Sequence, residues 1–383
     1  MIYFTKIQKK RCTKVKIPLV DLKAQYFSIK KDIDAAINRC VQHTQFIGGP
    51  PVLEFEKEFA QLCDTKFAVG LSSGTSALYL ALKAYGIGKG DEVIIPTLTF
   101  IATAEAVTAT GAKPVFVDID EKTYTISSEK INAAFTKKTK AVIPVHLYGQ
   151  PANMDTICKI AKEKNLLVIE DACQSHCAEY NNKRIPYSDI ACFSFFPGKN
   201  LGAYGDAGAV VTNNEVITDT IKLLRDHGRK SGQKYESAVE GFSHRMDSLQ
   251  AAILTAKIKH IEKWTEQRIQ NSKIYEKLLP EQDIILPYNS PKSRHVYHLY
   301  AVRVKKRDQL KQFLMNKGIT TGIHYPIPLH AQPAYNWLKY KKDDFPASNR
   351  ICSEILSLPM YPELTENQIE FIAKQIKNFQ AIQ

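Results

Sequence analysis

The chain has 383 residues, 44% of them hydrophobic and 24% charged, with a formal net charge of +13. Such a length buries a sizeable core and suggests two or three structural units, and with no internal period or low-complexity tract, solenoid and linker readings have little support. No apolar stretch is long enough to span a bilayer, no apolar signal core opens the chain, and the eight cysteines form no Cys-x-x-Cys pair. The expectation is a cytoplasmic protein in a reducing setting, with no membrane partner and neither a zinc ribbon nor another metal site.

The positive charge has three readings: phosphate contacts to nucleic acid, attraction of a small anionic substrate, or lysines coating the surface. Its one dense stretch is Lys6, Lys9, Lys10, Arg11, Lys14 and Lys16. Nothing apolar and periodic accompanies it, so residues 1–16 are expected to be a basic lead-in, and nucleic acid is not expected as a partner.

Taken in chain order, the pattern from about residue 54 alternates helix and strand. Glu54 to Leu62 reads as the end of an amphipathic helix, and Ser73-Gly74-Thr75-Ser76 caps the next one. Val93 to Pro96 is a short strand, Ile101 to Thr110 a helix, and Pro114 to Asp118 a strand. Ala141 to Val145, Leu166 to Asp171, Ala191 to Phe196 and Gly208 to Thr212 are further strands, with a helix from Met154 to Lys162. Continuous apolar runs suit strands covered on both faces. The fold class is therefore α/β with a mainly parallel central sheet. One long helical stretch runs from Asp247 to about Leu279, followed by a strand at Tyr297 to Val304 and helices at Asp308 to Lys317 and Thr365 to Phe379. The expected organisation is a large α/β domain over residues 17–255 and a smaller α+β domain over residues 256–383.

Ligands of open α/β sheets settle at the carboxyl ends of the strands. Four features fall there. Ser72 to Ser76 open a helix, and offer either an ordinary cap or a phosphate site. Asp171 ends a buried run, where a carboxylate needs a partner: an arginine, or a protonated pyridine nitrogen. Lys199 follows a strand and a turn among glycines, either as a surface charge or as a nucleophile whose amine must be desolvated. Phe100 follows a strand, as core packing or as a plate for a flat heterocycle. A phosphate cradle, a carboxylate, a lysine and an aromatic plate are together what pyridoxal 5'-phosphate needs.

Their order, with Thr99 to Ala104, Glu170 to Gln174, Ser194 to Gly208, Arg245 to Ala252 and His324 to His330, resembles the DegT/DnrJ/StrS family of sugar aminotransferases from Ile17 onward. The resemblance implies the fold type I, aspartate aminotransferase-like architecture. It implies that Lys199 forms the Schiff base with pyridoxal phosphate and shuttles the proton, with pyridoxamine phosphate as the intermediate form. Asp171 would pair with the pyridine nitrogen, Gln174 with the phenolic oxygen, and Phe100 with one ring face, while Gly74, Thr75 and Ser194 would bind the phosphate. It further implies a homodimer with shared active sites, in which a neighbour's Gly241 to Arg245 reaches the phosphate. Many members carry asparagine where this chain has Ser243, which puts that contact in doubt. Glutamate is the expected amino donor and a nucleotide-linked keto sugar the acceptor. Tyr204, Arg229, Tyr325 and His330 are the candidates for substrate contact. The segment Tyr325 to His330 resembles members acting at C3. Amination at C4 and a non-catalytic, cofactor-binding regulator are the alternatives.

Overall fold

The computed structural model describes residues 16–230, 232–279 and 284–381. The basic lead-in as far as Val15, with Cys12, lies outside the described residues.

Three helices come first, α1 (Leu22–Ser28), α2 (Lys30–Gln42) and α3 (Pro50–Leu62). Asp21 caps α1 by accepting from the Ala24 amide at 2.8 Å, and α3 opens on Pro50, where a missing N–H is harmless. The alternating segment follows: β1 (Phe67–Leu71), α4 (Gly74–Ala84), β2 (Glu92–Pro96), α5 (Ala102–Ala109), β3 (Lys113–Val117), α6 (Ser128–Ala134), β4 (Thr139–Val142), α7 (Met154–Lys164). Next come β5 (Leu167–Val168) and β6 (Glu170–Asp171), the small hairpin β7 (Glu179–Tyr180) and β8 (Lys183–Arg184), then β9 (Ile190–Ser194), β10 (Gly208–Thr212) and α8 (Glu215–Arg225).

The strands pair in two sets, β3-β2-β4-β5 and β6-β9-β10-β1. Only Ile169 separates β5 from β6, and its amide bonds to Val142 O at 3.1 Å while Asp171 N bonds to Pro144 O at 2.9 Å, so the two sets form one surface. Within it β2, β3, β4 and β5 are mutually parallel, β6 is parallel to β9, and β10 runs against both of its neighbours. The sheet is mainly parallel, as expected.

Both faces are dry, for a reason visible along β9 and β10. Ala191, Phe193, Ala209 and Val211 enter one core with α2, α3 and α9 (Ser248–Ile258), and Ile190, Cys192 and Val210 enter another with α4, α5 and α8. Alternate side chains point to opposite faces, so a strand buried on both sides must be apolar throughout.

Three expected boundaries differ. The run Ala141 to Val145 pairs regularly only to Val142, because Pro144 has no amide to give the ladder. The single long helix from Asp247 is two, α9 and α10 (Ile261–Leu278), broken at Lys259 and His260. The break lets α9 pack on α2 and α3 while α10 packs on the C-terminal helix. Tyr297 is at φ 43°, outside the extended region, so the later strand starts only at Tyr300.

The C-terminal unit comprises β11 (Ser293–Arg294), β12 (Tyr300–Arg303), α11 (Arg307–Asn316), α12 (Pro346–Glu354), β13 (Ile355–Leu358) and α13 (Glu366–Ala381). Strands β12 and β13 pair antiparallel over their own core of Tyr275, Tyr300, Leu314, Leu356 and Ile376. Strand β11 reaches back to β7.

Candidate active site

The carboxyl ends of β1, β2, β6 and β9 and the start of the reversed β10 lie at one edge of the sheet. At the end of β1, Ser73 caps α4 by accepting from Ser76 N at 3.0 Å. The amides of Gly74 and Thr75 are the first two of the helix and have no carbonyl one turn back. Gly74 is packed so closely that a Cβ there would stand 2.7 Å from Ser194 Cβ and 2.9 Å from Cys173 Sγ. The helix start, the end of β9 and the turn after β6 are thereby held together. Gly208 lies under the same turn, where a Cβ would be 2.2 Å from Ser73 O.

Asp171 is buried. Its Oδ2 accepts from Thr103 Oγ1 at 2.8 Å and its Oδ1 from Cys173 N at 3.2 Å. Thr99 Oγ1 stands 3.0 Å from Thr103 Oγ1, so a pair of hydroxyls backs the acid. The neighbouring Glu170 is wholly buried too, with His146 Nε2 at 2.8 Å and Ser188 Oγ donating at 2.6 Å. His146 Nδ1 accepts from Ala152 N at 3.1 Å, so its proton is on Nε2 and points at the carboxylate. These bonds offset the burial and keep Glu170 below the usual carboxylate range.

Lys199 follows β9 on the tight loop from Pro197 to Gly202, its amide bonded to Phe196 O at 2.8 Å. Desolvation lowers the pKa of its amine, against the opposing pull of Cys173 and Asp171. Three imidazoles feel its charge. His176 is pushed down to about 3 and His324 to about 4, while His298 falls well below the ordinary value; in each, burial is the larger cause and Lys199 adds to it.

Gln174 accepts from Tyr148 N through Oε1 at 2.7 Å and donates through Nε2 to Tyr325 OH at 3.2 Å. The Tyr325 ring is 5.9 Å from that of Phe100, which is 54% exposed and therefore faces open space rather than a packed core. Lys199, Asp171, Gln174, Phe100, Tyr325, Ser194, Gly74 and Thr75 thus occupy one edge.

The other candidates are tied into parts of the fold that border this edge; next to Ser243, His244 O accepts from Ser72 N at 3.0 Å. Arg229 donates to Asp226 Oδ1 at 2.5 Å and to Lys234 O at 3.1 Å, and Arg245 shares that aspartate at 2.6 Å. Ser243 is exposed on the same segment, bridged to Asp226. His330 is buried, with Nδ1 2.8 Å from Thr97 Oγ1 and its ring 4.3 Å from Phe345, so it pins its loop to the end of β2. Tyr204 is held through its amide by Gln250 Oε1 at 2.8 Å, and its ring lies 4.3 Å from Lys257 Nζ. Sequence reasoning passed over Thr99, Thr103, Tyr148 and His298. The four-residue spacing of the two threonines around Phe100 was a usable signal, because it stacks them on one side of a helix start.

The model of the DegT/DnrJ/EryC1/StrS aminotransferase family matches residues 27–377. The chain belongs to this family. It is 43% identical over 367 residues to a pleiotropic regulatory protein of Geobacillus stearothermophilus, across 95% of this chain and 98% of that one. It is 41% identical over 355 residues to the dTDP-3-amino-3,4,6-trideoxy-alpha-D-glucose transaminase of Streptomyces venezuelae, across 92% and 93% of the two chains. The crystal structure of S. venezuelae DesV in complex with a ketimine intermediate superposes with a TM-score of 0.92 at 40% identity, covering 95% of this chain and 98% of that one. As a DegT-family aminotransferase the chain has the fold of that family, and the edge carrying Lys199 is its candidate active site.

Proposed function

We propose that this DegT-family protein moves an amino group from glutamate to C3 of a keto sugar linked to a nucleoside diphosphate, using pyridoxal phosphate. The observation that carries the reading is the convergence of a desolvated Lys199 and a buried Asp171 on one sheet edge. The residues present fit the cofactor. Gly74, with no side chain, lets the first amides of α4 close in beside Ser194, where a Cβ would stand 2.7 Å from the serine Cβ. Asp171 is gripped by one hydroxyl and one amide, and a carboxylate with about four lone-pair positions keeps room for a further donor.

Gly74, Thr75 and Ser194 would hold the phosphate, Asp171 the pyridine nitrogen, Gln174 the phenolic oxygen and Phe100 one ring face. When bound, the group supplies an aldehyde carbon that takes up the amino group and a ring that spreads the electron pair released at the substrate carbon. Lys199 contributes a nitrogen whose hold on its proton is weakened by desolvation, as a base working near neutrality requires. Its Nζ would take the proton from the substrate carbon and hand it to the carbon that had been the aldehyde of the cofactor. Asp171, locked by Thr103 and Cys173, keeps its charge aimed at one point, and the neutral imidazoles around Lys199 leave its amine unpaired.

Tyr325, with its ring beside Phe100 and its hydroxyl accepting from Gln174, would touch the sugar. The assignment to C3 follows the S. venezuelae transaminase, whose name specifies a 3-amino sugar. A homodimer with shared sites fits the exposure of Ser243 beside Arg245 and the bare side chains of Phe46, Ile47 and Leu53. A cytoplasmic setting fits the free cysteines among the described residues, where no helix is long and apolar enough to cross a membrane.

One observation favours a second reading: the G. stearothermophilus relative is called a pleiotropic regulatory protein, and a regulator would bind the cofactor without turnover. The purified protein is to be given glutamate and a panel of 3-keto and 4-keto nucleotide sugars, with products read by mass spectrometry. An amino sugar formed at C3 supports the proposal. Amination only at C4 overturns the position, and cofactor uptake with no product from any sugar supports the regulator.

A further inference from the structure

Lys257, on α9, is wholly buried. A lysine is seldom found there without a carboxylate against it, because stripping water from an ammonium is expensive. Its Nζ donates instead to Gly202 O at 2.7 Å and to Gln25 Oε1 at 2.9 Å, and stands 4.3 Å from the centroid of the Tyr204 ring. Three N–H groups thus meet two oxygens and one aromatic face.

The carbonyl it grips closes the loop that carries Lys199. A Cβ on Gly202 would stand 2.2 Å from Pro197 O, so the two ends of the loop touch. Ala203 N bonds to Phe195 O at 2.7 Å and Lys199 N to Phe196 O at 2.8 Å, which ties the same loop to the end of β9. Gln25 belongs to α1 and Gly202 to the loop, so one ammonium joins three parts of the chain at the base of the lysine turn. Charge-assisted bonds of this kind are roughly twice as strong as neutral ones.

We propose that Lys257 is a positioning residue for Lys199: its ammonium holds the Gly202 carbonyl and so sets where the Lys199 amine stands, while its contact with Tyr204 fixes that ring beside the same loop. The inference rests on the reading of Lys199 as the Schiff-base lysine. Burial lowers the Lys257 amine to about 7, with Glu363 pulling the other way. The grip therefore weakens within the neutral range. The groups whose charge or titration bears on it are Glu363, which also feels Arg268 and Asp21, and Tyr204, raised by burial.

The test compares wild type, Lys257→Met and Lys257→Gln as holoenzymes. Methionine keeps the length and loses the charge and the donors; glutamine keeps a neutral donor. Both variants should take up cofactor and yield the borohydride-trapped adduct at Lys199. In Lys257→Met, kcat should fall roughly tenfold or more, the loss expected for a buried charge-assisted hydrogen bond. KM for glutamate should stay within about threefold, since the substrate is not touched. The pH at which the imine absorbance changes should move by about half a unit or more, and Lys257→Gln should regain part of kcat. Wild-type kcat and an unmoved absorbance titration in Lys257→Met overturn the proposal. If that variant shows no cooperative melting transition, Lys257→Gln is judged by the same two criteria. Absence of any imine band in the wild type is the distinguishable failure of the Lys199 reading itself.

Discussion

Thr103 Oγ1 donates to Asp171 Oδ2 at 2.8 Å with both groups buried. The acid is held by a hydroxyl and by the Cys173 amide rather than by an arginine, so its charge is fixed in place without being neutralised. That is the arrangement a carboxylate needs if a cationic ring nitrogen is to be its counter-charge. Thr103→Val keeps the shape and removes the donor. Hydrogen bonds to charged groups contribute roughly 1.5–3 kcal/mol, so cofactor affinity in this variant should fall about tenfold to a hundredfold. Fluorescence titration with pyridoxal phosphate measures this; unchanged affinity would mean that Thr103 does not support the site.

Gly74 supplies a second prediction. A methyl group there would press on Ser194 Cβ at 2.7 Å and Cys173 Sγ at 2.9 Å. Gly74→Ala must push α4 away from the end of β9, with an overpacking cost of about 1–3 kcal/mol. A lower melting temperature and weakened cofactor uptake should appear together. Loss of stability with normal uptake would separate the packing role of Gly74 from any role in holding phosphate.

Much of this edge is legible in the sequence because strand ends are legible. Asp171 follows Leu166 to Ile169, and Lys199 follows the apolar run that becomes β9; an α/β alternation puts such ends on one side. Arg229 and His330 are different. Arg229 is claimed by Asp226, three residues away, and His330 by Thr97, 233 residues away. Neither partner is marked by any periodicity, so a polar residue in a loop reads the same whether it faces substrate or fastens the fold. Lys257 was invisible for a related reason: within α9 it reads as a solvent-facing lysine, and its partners, Gln25 of α1, Gly202 and Tyr204, are remote in sequence.

A third prediction concerns pH. Burial, with the charge of Lys199 added for His176, holds His176 and His295 at about 3, whereas an unfolded histidine titrates near ~6.5. Between those values the unfolded chain binds more protons than the folded one, so stability falls as pH falls. The slope is on the order of 1 kcal/mol per pH unit for each ring. Urea midpoints taken at about pH 7 and about pH 5 should show the drop, and His176→Phe should make it shallower. A midpoint independent of pH across that window would contradict the buried, neutral state of these rings.

The most direct measurement is borohydride reduction of the protein after incubation with pyridoxal phosphate, followed by peptide mass mapping. A single reduced adduct on Lys199, absent from Lys199→Ala together with turnover, is the expected result. An adduct on another lysine, or full amino-sugar formation by Lys199→Ala, would contradict the assignment on which the proposed chemistry stands.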